Sequence, residues 1–276
     1  MTSSTMISKT MASTLDKLHA ILRRDLLTAI RHRSGFVVTP IGVLIELAAF
    51  YFLSRAIGPG FRPNGVEYFP FLLVGTGVYT FFVMSAQAFL SAVQEAQQTG
   101  TLEVLMTTST APAELVILSS ISAFAGNLVN LLVYLLAGVA VFRAAIHANF
   151  LSCVAVLIFS LAIALALGIA AAALQVAFQK GSALLWLLGS GLWFLSGTMF
   201  PIQSLPRPLE LLARAVPLTY AIDGMRRALL EGQSMTAMAP TLAGLAGFAV
   251  VMLPLALAGL SLSLRRARQN GTLSFY

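Results

Sequence analysis

Four places in the chain carry polar side chains at spacings that could do chemistry. Glu46 stands alone in the apolar run Phe36–Ile57, where a carboxylate could take up a proton or touch a polar cargo. Asn127, Asn130 and Tyr134 recur about one helical turn apart and could line a conduit or tie helices together. Glu95, Glu103 and Glu114 lie in QEAQQTGTLEVLMTTSTAPAEL, a stretch without Lys or Arg, which suits docking to a basic groove. Asp223 and Arg227 sit at i and i+4 with the acid first, the better orientation for a helical ion pair, and Arg226 lies between them.

The patterns of soluble catalysis are absent. No G-x-x-x-x-G-K-[ST] cradles a nucleotide, no H-E-x-x-H binds zinc, and no G-x-S-x-G presents a nucleophile. His19, His32 and His147 are scattered, and Cys153 is the single cysteine, so neither an internal disulfide nor a cysteine metal site can form. No catalytic residue, metal or cofactor is expected in this chain.

The elements that must position these residues follow from composition. Of 276 residues, 58% are hydrophobic and 10% charged, against roughly 25% charged in a soluble domain. Such a chain cannot cover a water-facing surface. An all-α integral membrane fold is expected, because lone apolar segments must satisfy their own backbone hydrogen bonds in lipid. Six transmembrane helices are predicted, near Phe36–Ile57, Tyr68–Val93, Leu115–Phe142, Leu151–Phe178, Ala183–Phe200 and Ala237–Leu264. At mid-span, Glu46 needs a partner, and Asn127, Asn130 or Gln87 could supply a hydrogen bond. Upstream, Leu15, Leu18, Leu22, Leu26 and Ala29 make a helical stripe with mostly basic residues opposite, which predicts an N-terminal amphipathic helix along the membrane surface. The domains are thus a cytoplasmic segment 1–35, a membrane domain 36–264 and a cytoplasmic tail 265–276.

The formal net charge of +7 implies membrane lipid as a partner, with no nucleic acid, because the bases flank spans. Ten of the seventeen Lys and Arg residues fall at the N-terminus, at Lys180 and in the tail; seven fall in the alternate loops, four of them after the fifth span. The excess places both termini in the cytoplasm.

The stretch SGTMFPIQSLPRPLELLARAVPLTYAIDGMRRALL leaves the fifth span and breaks at Pro201, Pro206, Pro208 and Pro217. Pro208 and Pro217 can each sit in the first turn of a helix, where a missing N–H costs nothing. Leu209–Ala215 and Leu218–Glu231 are too short to span. On the second, Leu218, Ile222, Met225 and Leu229 make one apolar face. Short re-entrant outer helices, half-buried at the outer boundary before the last span, are predicted.

Two motifs carry a family resemblance. GTLEVLMTTSTAPAEL resembles the cytoplasmic coupling segment of ABC-2 type transporter permeases, with its G-T-L-E-x-L-x-x-T core. Here Ser109, Thr110 and Ala111 stand before Pro112, where the family often places proline directly after the threonine. The segment from Ser196 resembles the family's second signature, S-G-x-x-[FY]-P, then L-P, then P-L-T-Y and an arginine pair. The resemblance, in span number, loop order and both motifs, covers about residues 15–268. It implies the membrane subunit of an ATP-driven exporter in a prokaryotic cytoplasmic (inner) membrane, closer to the drug- and lipid-export branch than to the polysaccharide branch. It implies a second permease copy, as a homodimer, or a relative in its place, and two cytoplasmic ATPase subunits that carry ATP and Mg. It implies that Gly100, Thr101, Leu102, Glu103, Leu105 and Thr108 contact the ATPase. Pro201, Pro206, Pro217, Leu218, Thr219, Tyr220, Asp223, Arg226 and Arg227 would form the outer re-entrant segment. Beside this stand an ion-coupled secondary transporter with Glu46 as proton site, and a membrane scaffold that transports nothing.

Overall fold

A computed structural model describes residues 33–99, 112–178 and 189–270. The regular secondary structure among them is helical: α1 (Arg33–Ile57), α2 (Tyr68–Gln98), α3 (Pro112–Phe142), α4 (Phe150–Phe178), α5 (Arg207–Arg214), α6 (Pro217–Leu229) and α7 (Ala239–Asn270). Five of these are long and apolar enough to cross a membrane, over Pro40–Ile57, Tyr68–Gln98, Ser120–Phe142, Phe150–Phe178 and Ala239–Gln269. Of the expected fifth span, Ala183–Phe200, residues 183–188 lie outside the described residues, and 189–195 are helical. The N-terminal amphipathic helix also lies outside them. The last helix runs through Arg265 to Asn270, beyond the expected end at Leu264. An Arg-rich turn of good helix formers can continue a helix after its apolar run stops.

The long helices alternate in direction. The links α1–α2 and α3–α4, and the segment 196–238, meet at one end of the bundle. There His147 N donates to Leu229 O (3.1 Å), Asn149 N to Ala228 O (2.9 Å), and Ser152 Oγ to Gln233 O (2.8 Å). The C-terminal ends of α2 and α4 lie at the opposite end, together with the Arg-bearing end of α7.

Packing centres on α2 and α4. Helix α7 lies along α4, and α2 lies between α3 and α4. Val78, Phe81 and Phe82 of α2, Val156 and Ile163 of α4, Ile222 and Met225 of α6, and Leu245 of α7 form one buried cluster. A second cluster at the opposite end joins Phe89, Ile169, Val176 and Leu260. Helix α1 is peripheral, with Ile41, Ile45 and Phe52 exposed on its outer side. Apolar exposure of this kind is normal for a surface that meets lipid or another membrane subunit.

Helix α6 departs from the expected half-buried boundary helix. Leu218, Ala221, Ile222, Gly224, Met225 and Ala228 are all buried, while the expected face residue Leu229 is only partly so. Gly224 lets Val156 of α4 and Thr241 of α7 approach closely, and the helix sits in the core rather than on it.

Candidate functional site

The segment 196–230 folds as a short 3-10 turn (Ile202–Ser204) followed by α5 and α6. Pro201 caps the turn and Pro206 caps α5. Pro208 and Pro217 fall in the first turns of their helices, where fixed φ favours helix entry. Glu210 in the first turn of α5 accepts from Arg214 Nη2 at 2.6 Å in the last turn, an arrangement that also suits the helix dipole. Buried Thr219 donates from Oγ1 to Ala213 O (2.8 Å), which ties α6 back to the end of α5. Tyr220 packs against Phe248 of α7 with ring centroids 5.4 Å apart.

Arg226 is the centre of this segment. It is only 6% exposed. Nε and Nη2 donate to Phe71 O (3.1 and 2.9 Å), Nη1 donates to Gly197 O (2.7 Å), and Nη2 also donates to Thr198 O (2.7 Å). The guanidinium lies over the Phe71 ring, its carbon 3.3 Å from the centroid. One side chain on α6 therefore clasps the first turn of α2 and the turn that leaves the 189–195 helix. Two glycines make room for it. A Cβ on Gly75 would overlap Arg226 Nη2 and lie 2.6 Å from Thr198 O. Gly197 has φ +77, a left-handed conformation that presents its carbonyl to the guanidinium.

The electrostatics of this segment are uneven. Arg227 Nε donates to Asp223 Oδ2 at 2.8 Å, as the i, i+4 spacing predicts, and both side chains are more than a third exposed. Arg226 has no carboxylate within ion-pair distance among the described residues. Burial pushes its pKa down to about 9, while Asp223 and then Tyr68 hold it up. The guanidinium stays charged at neutral pH, held by carbonyl dipoles and an aromatic face in place of a counter-ion.

The other expected site residues are elsewhere. Gly100, Thr101, Leu102, Glu103, Leu105 and Thr108 lie outside the described residues. Glu46 is exposed on α1. Its polar neighbour is Tyr134 of α3, whose hydroxyl is buried. Asn127, Asn130 and Gln87 are not its partners: Asn127 is half-buried, Asn130 is exposed, and Gln87 Nε2 donates along its own helix to Ser91 Oγ (3.2 Å). Asn130 and Tyr134 share a turn of α3, but one faces outward and the other into the bundle.

One polar group escaped the sequence reading. At the opposite end of the bundle, Gln175 of α4 lies fully buried between two glutamines of α2. Its Nε2 donates to Gln97 Oε1 (3.1 Å), and its Oε1 is 3.5 Å from Gln94 Nε2. The signal was there: glutamines three residues apart at the end of one apolar run, and one in a facing run.

Among the described residues no group of His, Cys, Asp and Glu could hold a metal ion. What the geometry defines is a multi-pass helical membrane protein with a rigidly anchored helical segment at one end. The family model described as ABC-2 type transporter matches residues 16–230. The chain belongs to the ABC-2 type transporter family and is the membrane permease component of an ABC transporter. Permease domains of this family are generally not catalytic, and they usually work with an ATPase partner. No curated protein matches the chain.

Proposed function

We propose that the chain is the membrane subunit of an ATP-driven exporter for an amphipathic or lipid-linked substrate or a drug. The match to the permease family over residues 16–230 carries this reading. Two copies would pair as a homodimer with two ATPase subunits at the opposite end of the bundle from α5 and α6, in the inner membrane of a prokaryote. Both termini would be cytoplasmic, and Ala183–Phe200 would complete six spans. Lys and Arg support this orientation, ten against seven, and of the seven Arg226 is buried against carbonyls while Arg214 and Arg227 are paired with carboxylates at the surface.

In the proposed mechanism, closure of the ATPases pushes on Gly100–Thr108 and on the interfacial helix before α1. Glu103 contacts the ATPase. The push reaches the ends of α2 and α3 directly, because Gln98 and Pro112 flank the coupling segment. Helix α2 spans the bundle, and its first turn is clasped to α6 through Arg226. A displacement of α2 would therefore move α5 and α6 with it and open a path at the outer face. The lean toward drug and lipid export comes from the coupling motif.

An ion-coupled carrier is the competing reading, favoured by the exposed mid-span Glu46. Energy source separates the two. Inside-out vesicles holding the complex should transport on ATP with the proton gradient collapsed. Transport that survives ATP depletion and stops with an uncoupler would overturn the proposal.

A further inference from the structure

The cleft beside Arg226 is a site in its own right. It measures ≈ 240 Å³ and is lined by the Ser196–Gln203 turn, by Asn64, and by Arg214, Asp223, Arg226 and Arg227. Three guanidinium groups face one carboxylate across it. Counting Glu210, which neutralises Arg214 from outside the lining, three cations less two anions leave one positive charge. That charge is Arg226, the side chain without a carboxylate partner. Its four hydrogen bonds use the single N–H of Nε, both of Nη2 and one of Nη1, so one N–H of Nη1 is uncommitted. A buried cation is ordinarily paired, and here the space beside it is open and polar.

We infer that this cleft binds a phosphate or phosphate-ester group. Guanidinium forks approaching from α5 and from two positions on α6 suit a tetrahedral oxyanion, which has more acceptor oxygens than a carboxylate can offer them. The neighbouring surface fits a lipid-borne ester, because Leu211 and Leu212 of α5 are 62% and 56% exposed beside Arg214. Apolar side chains next to a basic cluster match the boundary between acyl chains and headgroups. The phosphate would replace water against Arg226 and share Arg214 and Arg227 with their carboxylates. This inference depends on the chain being a membrane protein and is independent of what drives transport.

The test uses the purified full-length protein in a neutral detergent, without any ATPase. Native mass spectrometry reads binding of phosphatidic acid, diacylglycerol as its phosphate-free control, and glycerol 3-phosphate as a soluble ester. Phosphatidic acid should bind in preference to diacylglycerol. If glycerol 3-phosphate binds as well, the source is any phosphate ester; if it does not, the source is lipid. Equal binding of phosphatidic acid and diacylglycerol would overturn the inference. Variants supply the sign. Arg214→Gln with Arg227→Gln should weaken phosphatidic acid on the order of tenfold, and Asp223→Asn should tighten it about threefold, with less effect at high salt. These side chains are partly exposed and leave the Arg226 clasp intact, so folding is not at stake. Unchanged affinity in both variants would assign the bound lipid to the apolar surface and refute the site.

Discussion

Replacing Arg226 with methionine removes the clasp while keeping an unbranched side chain of similar reach. The loss can be built from the structure. Phe71 O lies inside α2 and keeps its helical partner, so two turn carbonyls, Gly197 O and Thr198 O, lose their donor. A buried acceptor left unpaired costs about 1–3 kcal/mol. The stacking on Phe71 adds about 2 kcal/mol in a desolvated setting. Against this, the variant no longer buries a charge, which returns several kcal/mol. The net expectation is a loss of about 3 kcal/mol, or roughly 6 °C in melting temperature for a domain of this size. Arg226→Lys should fall between, at roughly 2–4 °C, since an ammonium keeps the charge but cannot fork to two segments while lying flat on a ring. Gly75→Ala attacks the clasp from the other side, because its Cβ would occupy the place of Nη2. The double variant Gly75→Ala/Arg226→Met should lose less than the sum of the two, as they remove one interaction. The assay is thermal unfolding in detergent, read by tryptophan fluorescence and by monodispersity after heating. An Arg226→Met protein that melts with the parent, or strict additivity of the double variant, would refute the claim that this arginine holds the segment to α2.

Three further outcomes follow from the same geometry. Gln175→Leu strands buried Gln97, whose Nε2 already lacks a partner, and half-buried Gln94, and should lower the melting temperature by about 2–4 °C; the paired change Gln97→Leu/Gln175→Leu should recover part of it. Asp223→Asn breaks an exposed i, i+4 pair and should shift melting by about 1 °C or less; a large shift would mean that Asp223 supports Arg226 more strongly than its distance implies. Glu46→Gln should assemble normally and keep transport, whereas Glu46→Leu should impair transport if the carboxylate contacts cargo; normal export by Glu46→Leu would remove Glu46 from the conduit.

Much of this architecture was legible because lipid leaves the chain few options. Runs such as Leu151–Phe178 had to be helices, and the observed α4 differs from that range by a single residue. Proline placed the starts of α5 and α6 within two residues, since its fixed φ and absent N–H suit only the first turn of a helix. The Asp223–Arg227 pair followed from spacing alone. Arg226 shows where that reading stopped. In the sequence it stands beside the Asp223–Arg227 pair, yet it lies four residues after Ile222, on the apolar face. Its burial depends on three carbonyls supplied by residues 29 or 28 positions away and by one 155 positions away. No local pattern encodes an acceptor set gathered by tertiary packing. The same is true of Gln175, whose partners come from α2, and of Glu46, whose neighbour turned out to be Tyr134.

The central claim is that this permease works on a separate ATPase, and its most direct test is the composition of the complex it forms. The tagged protein should be extracted from its native membrane in mild detergent, and the co-purifying chains identified and quantified. The account predicts a stoichiometric partner that carries a G-x-x-x-x-G-K-[ST] loop and that dissociates from the Glu103→Arg variant. A folded, dimeric permease that brings no such partner would contradict it.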